Sequence, residues 1–431
     1  CNVPFSESFT NVMPAWLQLK YAHANGLLSD DIFAVANILK VMSLHRVSDI
    51  YGPLPVLHFG ETENPYNSQE ECYMHFFETL DSAIAVLKDV VENNPDAKPL
   101  EEVDALYHGD YSKWLKLANS VKLRLAMRIC YVKPDLAKQY AMEAVRDGVM
   151  ETADDSALFQ SWGSITVINP LEKIWNGYSD TRMGASMDSY LNGYNDPRLP
   201  VYFQPVTDGD NKGEYRGVAN GMPNPQQEDY KAMSSPNVQE KSTDSPLRWM
   251  MASEVAFLRA EGAMRGWTAE MGGTAEEFYN KGIELSFLEN GLSADAAARY
   301  AADETSKPTD FTDVSAANTK YNISALGKIA IKWNSGASEE EQLERIITQK
   351  WIAMFPNGTE AWSEFRRTGY PRLFPVRYNY PSSGVDTNKQ IRRMVFPQSE
   401  YSNNGAAVQE AVKLLGGPDN GGTKLWWDKK N

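Results

Sequence analysis

The chain has 431 residues, of which 42% are hydrophobic and 11% aromatic, and its formal net charge is −15. A chain of this length can bury a large core, either as one domain or as two smaller ones. The acidic charge argues against a nucleic-acid partner, because phosphate binding needs a basic face. No apolar run approaches the roughly 18 to 20 residues of a membrane-spanning helix. The three cysteines form neither a paired framework nor a C-x-x-C motif, so folding requires no disulfide or zinc.

The first 150 residues predict helices joined by turns. Apolar residues recur at helical spacing in three segments, 30–49, 68–93 and 134–147. Segment 113–131 also shows strand-like alternation, but its length and its Leu, Ala, Met, Arg and Lys content favour a helix. Residues 2–26 add an amphipathic patch around Trp16.

From 152 to 246 the periodicity fades, and Gly, Asn, Pro, Ser and aromatic residues crowd together. A loop region this long is usually functional or disordered, and the aromatic content argues against disorder. We therefore expect this part of the chain to build a binding surface rather than a core.

Helical patterns return at 247–266, 274–290 and 406–415. Between them, Ser338 and Glu341 form an S-x-x-E capping box that predicts a helix start. A break at Pro356-Asn357-Gly358 and a cap at Thr359 predict a second, short helix. The sequence thus predicts a mainly α fold of stacked αα-hairpins of tetratricopeptide-like type, with few short strands, although the 34-residue repeat consensus is absent.

Motifs for bond chemistry are missing from the sequence. The five histidines lie in no metal-ligand spacing, and no nucleophile elbow, phosphate loop or dinucleotide motif is present, so no cofactor is implied. The stretch from Asp208 to Gly213 begins like a calcium loop, but Lys212 occupies a ligand position and Ala219 replaces the required glutamate.

Charged side chains on the predicted helices have a structural explanation. Glu254 and Glu261 lie on one helix, where pairing with Arg248, Arg259 or Arg265 is the expected role. For the basic run Lys122, Arg124 and Arg128, salt bridges or snorkelling side chains are expected rather than anion binding.

Aromatic residues of the loop region are the candidate ligand-binding residues. Sugar rings stack on aromatic faces, and peptides dock apolar side chains on them. The residues that we predict to contact a ligand are Trp162, Trp175, Tyr178, Tyr194 and Tyr215.

Several long segments resemble the SusD/RagB family of nutrient-binding outer-membrane lipoproteins. They begin at His45 (HRVSDIYGPLPV), Lys113 (KWLKLANSVKLRLAMRI), Tyr194 (YNDPRLPVYF), Ser253 (SEVAFLRAEGAMRGW), Ile347 (ITQKWIAMFPNGTEAWSEFRRTGYPRLFPV) and Thr423 (TKLWWD). The resemblance implies a single domain over 1–431, with a helical scaffold at 1–151 and 247–431 and a loop-rich ligand-binding part at 152–246.

The family further implies a lipid anchor in the outer membrane of a Bacteroidetes-type cell. Its members act as the lid of a SusC-type TonB-dependent transporter and deliver oligosaccharides or oligopeptides to it, without bond chemistry. Because the residues after Cys1 already resemble sequence from inside the family domain, we expect a further N-terminal segment upstream. Cys1 is then either the lipidated residue or an ordinary interior cysteine.

Two other functions fit the same sequence less well. A helical glycoside hydrolase would need an acid and a base roughly 5 to 9 Å apart in an open groove. A repeat scaffold for protein partners would present one broad concave surface instead of a loop-built site.

Overall fold

A computed structural model describes residues 2–223, 226–237 and 245–430 of the chain. Cys1, considered above as a lipidation site, lies outside these ranges. The predicted mainly α fold with few strands is confirmed. The α-helices are α1 (Val3–Glu7), α2 (Met13–Ala24), α3 (Asp30–Tyr51), α4 (Gln69–Asn93), α5 (Tyr111–Arg128), α6 (Pro134–Arg146), α7 (Pro170–Glu172), α8 (Ala185–Gly193), α9 (Leu199–Tyr202), α10 (Gln227–Tyr230), α11 (Ala252–Gly262), α12 (Thr268–Met271), α13 (Ala275–Leu288), α14 (Ala294–Ala301), α15 (Glu339–Ala353), α16 (Gly358–Thr368) and α17 (Gln398–Leu415).

Two short strands, β1 (Ala157–Phe159) and β2 (Leu247–Met250), pair antiparallel. Wider π-helical turns extend three of the helices, at Ser8–Val12, Lys173–Gly177 and Ala263–Trp267. Within the described ranges, no helix is both long enough and apolar enough to cross a membrane.

The chain divides into two compact units, one formed by Cys1–Met150 with Tyr380–Asn431 and the other by Glu151–Asn379. These bounds differ from those of the predicted helical scaffold and loop-rich ligand-binding part. The division of the chain into a scaffold and a ligand-binding part stays a prediction. In the first unit, α2 packs on α3, α3 on α4, α4 on α5 and α5 on α6. Successive helices therefore stack in sequence order, as expected for helical hairpins.

Buried polar side chains tie the chain's last residues to the helices of the first unit. The carboxylate of Asp49 accepts hydrogen bonds from the Tyr73 hydroxyl at 2.5 Å and from the indole N–H of Trp427 at 2.8 Å. Its other oxygen lies 3.4 Å from Nε of Arg128, and the Arg128 guanidinium lies over the Trp427 ring. Buried charges need such partners, and the predicted salt-bridging role of Arg128 is confirmed.

In the second unit, α11 packs on α13 and α15, α13 packs on α14, and α15 packs on α16. The predicted capping box is confirmed, since the Ser338 hydroxyl accepts from the N–H of Glu341. Two details differ from the prediction. Asn357, not Thr359, caps α16, and residues 247–250 form β2 because they pair with β1, so the helix begins only at Ala252.

Four buried charged groups join α11, α15 and α16. Glu261 accepts hydrogen bonds from both terminal nitrogens of Arg367, at 2.7 and 2.5 Å. Arg367 also donates to Glu364, which accepts from Nζ of Lys350 at 3.0 Å. All four side chains are at most 2% exposed. Arg265 adds the predicted pairing with Glu261, at 2.7 Å.

We predict that Arg367→Met strongly destabilises the protein, by about 3 to 5 kcal/mol, because it leaves buried carboxylates with too few partners. Equilibrium urea unfolding measures the change. Lys332→Met is the matched control, since its ion pair with Glu304 is exposed and such pairs contribute less than about 1 kcal/mol. Equal losses in the two variants would contradict the importance of the buried group.

The same cluster predicts a pH dependence. Burial raises the pKa of Glu261, but the charges of Arg367 and Arg265 outweigh burial and lower the pKa from 4.5 to about 2. A carboxyl group with a depressed folded-state pKa stabilises the fold fully above its unfolded value and loses that contribution as pH falls through the folded value. The difference in unfolding free energy between wild type and Glu261→Gln should therefore be constant above pH 5 and shrink between pH 4.5 and 2. A difference that does not change with pH would be inconsistent with an ionised Glu261.

Candidate functional site

Large apolar side chains are unusually exposed between residues 162 and 178 of the second unit. Trp162 is 37% exposed, Ile168 65%, Ile174 38% and Tyr178 58%. Exposed apolar residues scattered singly are ordinary, whereas a concentration of them marks a binding surface. Three of the five predicted ligand-binding residues lie in this segment.

Short-range hydrogen bonds shape the loop that carries Trp162. The backbone groups of Trp162 and Ile165 exchange hydrogen bonds of 3.0 and 2.8 Å, closing a tight turn. Just outside the turn, the Ser161 hydroxyl accepts from the N–H of Val167 at 2.9 Å. Val167 is buried, so the loop is anchored at its base while Trp162 projects from it.

Trp175 lies on a platform of aromatic rings. Its indole stacks on Phe355, with ring centroids 5.8 Å apart and planes inclined by 15°. Phe355 in turn contacts Tyr202 and Phe203 at 4.8 and 5.0 Å between centroids, and both of these rings are buried. One face of Trp175 is thus fixed by packing, while the side chain as a whole is only half-buried.

Tyr178 stands at the end of the turn that carries Trp175, and its backbone N–H donates to Lys173. The next residue, Ser179, has a positive φ of 53°, a conformation that costs a non-glycine residue free energy and must be held by its surroundings. Arg182 supplies that support. Its guanidinium donates to the carbonyls of Ser179 at 3.0 Å, Thr181 at 2.8 Å and Lys231 at 2.7 Å.

A second aromatic pair, absent from the predicted residues, lies on the two-stranded ribbon. Phe159 of β1 and Trp249 of β2 stack with centroids 4.7 Å apart and planes at 16°, and both are half-buried. Asn169 links this ribbon to the exposed segment by donating to the carbonyls of Ser245 and Pro246. Because residues 247–250 are predicted to be helical, Trp249 is not among the predicted ligand-binding residues. The alternation in Leu-Arg-Trp-Met is the sequence signal that could have indicated a strand there.

The other two predicted residues lie elsewhere in the second unit. Tyr194 is only 2% exposed, and its hydroxyl donates to the Ile329 carbonyl at 3.1 Å. Tyr194 packs among the aromatic rings of the core. This position corrects the prediction that Tyr194 contacts a ligand. Tyr215 is half-buried against the same core.

The two carboxylates considered for hydrolysis lie in α11, away from solvent. Glu254 and Glu261 are 2% and 1% exposed, so they cannot act as an acid and base in an open groove. No group of three or more metal-ligating side chains with metal-binding geometry occurs in the part of the chain that the structure describes. The surface offers stacking and apolar contact, which suit binding.

Comparison with known proteins places the chain in a family. Residues 1–428 match the family described as SusD-like, Susd and RagB outer membrane lipoprotein. A chitin-binding SusD homologue from Flavobacterium johnsoniae is 40% identical, with a TM-score of 0.92 over 99% of this chain and 86% of its own. A search of curated proteins found no match.

Two solved structures from Bacteroides are also similar. A SusD-like protein from Bacteroides thetaiotaomicron is 38% identical, with a TM-score of 0.91 over 100% of this chain and 87% of its own. A SusD homologue from Bacteroides uniformis is 40% identical, with a TM-score of 0.87 over 97% and 85%. The chain therefore belongs to the SusD-like family of outer-membrane lipoproteins.

Proposed function

We propose that this protein captures oligosaccharides at the cell surface through an aromatic surface in its second unit. That surface consists of Phe159, Trp162, Trp175, Tyr178 and Trp249. The observation that carries the proposal is the concentration of exposed apolar side chains at 162–178, held by anchored loops. Pyranose rings present flat C–H faces that pack on aromatic rings, so partly fixed indoles suit them.

A glycan is favoured over a peptide by one relative. The homologue from Flavobacterium johnsoniae is described as chitin-binding, and it shares the fold over nearly the whole of this chain. Oligopeptides are the other ligand class, and the binding experiment below separates the two. We propose that the protein binds its ligand without breaking a bond. The burial of the two helix carboxylates considered for catalysis supports this.

The protein further serves as the lid of a SusC-type TonB-dependent transporter, to which it is held close by a lipid anchor. This role rests on membership of the family of outer-membrane lipoproteins. In that position, capture needs only moderate affinity, because tethering beside the transporter raises the effective concentration for handover.

Calorimetric titration with chitooligosaccharides, other glycan oligomers and oligopeptides tests the binding proposal. Trp162→Ala and Trp175→Ala should each weaken binding at least tenfold, about 1.4 kcal/mol, because each removes a stacking face. Tyr21→Ala is the control, since Tyr21 is 54% exposed in the first unit and should leave affinity unchanged. Chromatography after incubation should recover the bound oligomer intact.

Absence of binding by every class of oligomer, or unchanged affinity in both tryptophan variants, would refute the assignment of this surface. Shortened products would instead establish an enzyme.

The lid role is tested by co-expressing the tagged protein with a SusC-type TonB-dependent transporter from the same organism. We expect the two to co-purify in detergent, and cells that lack this protein should take up the bound oligosaccharide more slowly. The Trp175→Ala variant should still co-purify while uptake falls. Purification of the transporter alone, with uptake unaffected, would contradict the partnership without touching the binding result.

A further inference from the structure

A buried lysine in the first unit has no carboxylate partner among the described residues. Lys40 of α3 is only 3% exposed. Its ammonium nitrogen lies 3.2 Å from Nε2 of His75 on α4 and 4.1 Å from the ring centroid of Trp16 on α2. An imidazole and an indole face are neutral partners, so the positive charge of Lys40 is not balanced by either.

The nearest charged group makes the imbalance larger. Nζ of Lys20 lies 5.5 Å from the centroid of the same Trp16 ring. Of the charged side chains in the described residues, Lys20 is the one whose field acts on Lys40, and both lysines act on His75. Two lysines from α2 and α3 thus lie near one indole ring, and a histidine of α4 contacts the inner lysine.

Two other buried lysines of this chain have the carboxylate partners that Lys40 lacks. Lys122 lies 2.6 Å from Asp81 and 2.7 Å from Glu143. Lys350, which is 1% exposed, lies 3.0 Å from Glu364. A buried ammonium group is costly unless it is paired, so a lysine without a carboxylate must either lose its proton or acquire an anion.

We propose that Lys20, Lys40 and His75, arranged around Trp16, form a binding site for a small oxyanion such as sulfate or a phosphate group. Lys20 is exposed, while Trp16 and His75 are half-buried, so the cluster opens toward solvent on one side. The ammonium groups supply hydrogen-bond donors to the oxygens of an anion, whereas Nε2 of His75, which faces Lys40, donates only when the ring is protonated. Trp16 is itself held in place by donating from its indole N–H to Asn37 at 2.9 Å.

Burial and like charge act together on the protonation of the two inner groups, Lys40 and His75. Burial, together with Lys20, lowers the pKa of Lys40 to about 7. Burial and then the charges of Lys40 and Lys20 lower the pKa of His75 to about 4. A bound anion would favour the charged form of each group. Anion binding should accordingly be stronger at pH 6, where Lys40 is protonated, than at pH 8.5, where it is not.

Titration of the intact protein with sulfate tests this site, with the NMR signals of the His75 ring as the readout. Sulfate keeps its charge over this pH range, so any pH dependence belongs to the protein. We expect a saturable shift in wild type, at least tenfold weaker binding in Lys40→Met and Lys20→Met, and weaker binding at pH 8.5. Lys133→Met is the matched control, because it removes an exposed lysine paired with Glu70 and should bind like wild type.

A monosaccharide sulfate ester, titrated in parallel, distinguishes a free ion from an ion carried by a larger ligand. Tighter binding of the ester assigns the site to a substituted ligand, and binding of sulfate alone assigns it to the free ion. No saturable shift with either probe, or the same affinity in Lys20→Met as in wild type, overturns the proposal. Because Lys20 is exposed, Lys20→Met should fold and can be titrated even if Lys40→Met does not fold. Glycan binding at the aromatic surface should be unchanged in Lys20→Met.

Discussion

The second unit depends on a chain of buried charges that runs from Lys350 through Glu364 and Arg367 to Glu261. Each of these groups alone would be prohibitively costly to bury, yet together they satisfy one another. The geometry is demanding, because the planar guanidinium of Arg367 must face two carboxylates from different helices at once. This requirement fixes how α11, α15 and α16 meet. Apolar side chains of α11 and α15 belong to the core of this unit, as do Tyr202 and Phe203 of the aromatic platform.

That fixed core explains how loops can carry a binding surface. Trp175 rests on Phe355, which follows directly after α15 and contacts the buried rings of Tyr202 and Phe203. The backbone near Tyr178 is held by Arg182, whose guanidinium donates to carbonyls only. Exposed aromatic side chains bind best when little conformational entropy is lost on contact with a ligand. Here the restraint comes both from local contacts, such as Arg182 with Ser179, and from contacts distant in sequence, such as Trp175 with Phe355.

The sequence alone predicted those features that depend on local or periodic patterns. The capping box at Ser338 and Glu341 and the helical identity of residues 113–131 follow from neighbours along the chain, and both are confirmed. Features set by contacts distant in sequence were missed. Residues 247–250 become a strand only because β1 lies beside them, and Tyr194 reaches the core through a hydroxyl bonded to Ile329. An aromatic residue in a loop-rich sequence can face either the core or the solvent. No pattern in this sequence distinguishes Tyr194, which is buried, from Tyr178, which is exposed.

The same contrast between local pattern and distant partner applies to the lysines. Lys40 and Lys122 are both basic residues within apolar helices, where a buried lysine usually has a carboxylate partner. In the structure Lys122 has two such partners, whereas Lys40 meets a histidine, an indole and the field of another lysine. Packing alone does not require a charge there, because a methionine of similar length could fill the space beside Trp16 without a desolvation penalty. An anion bound to the folded state would balance the charge of this cluster and stabilise the fold, which is the role that we propose for it.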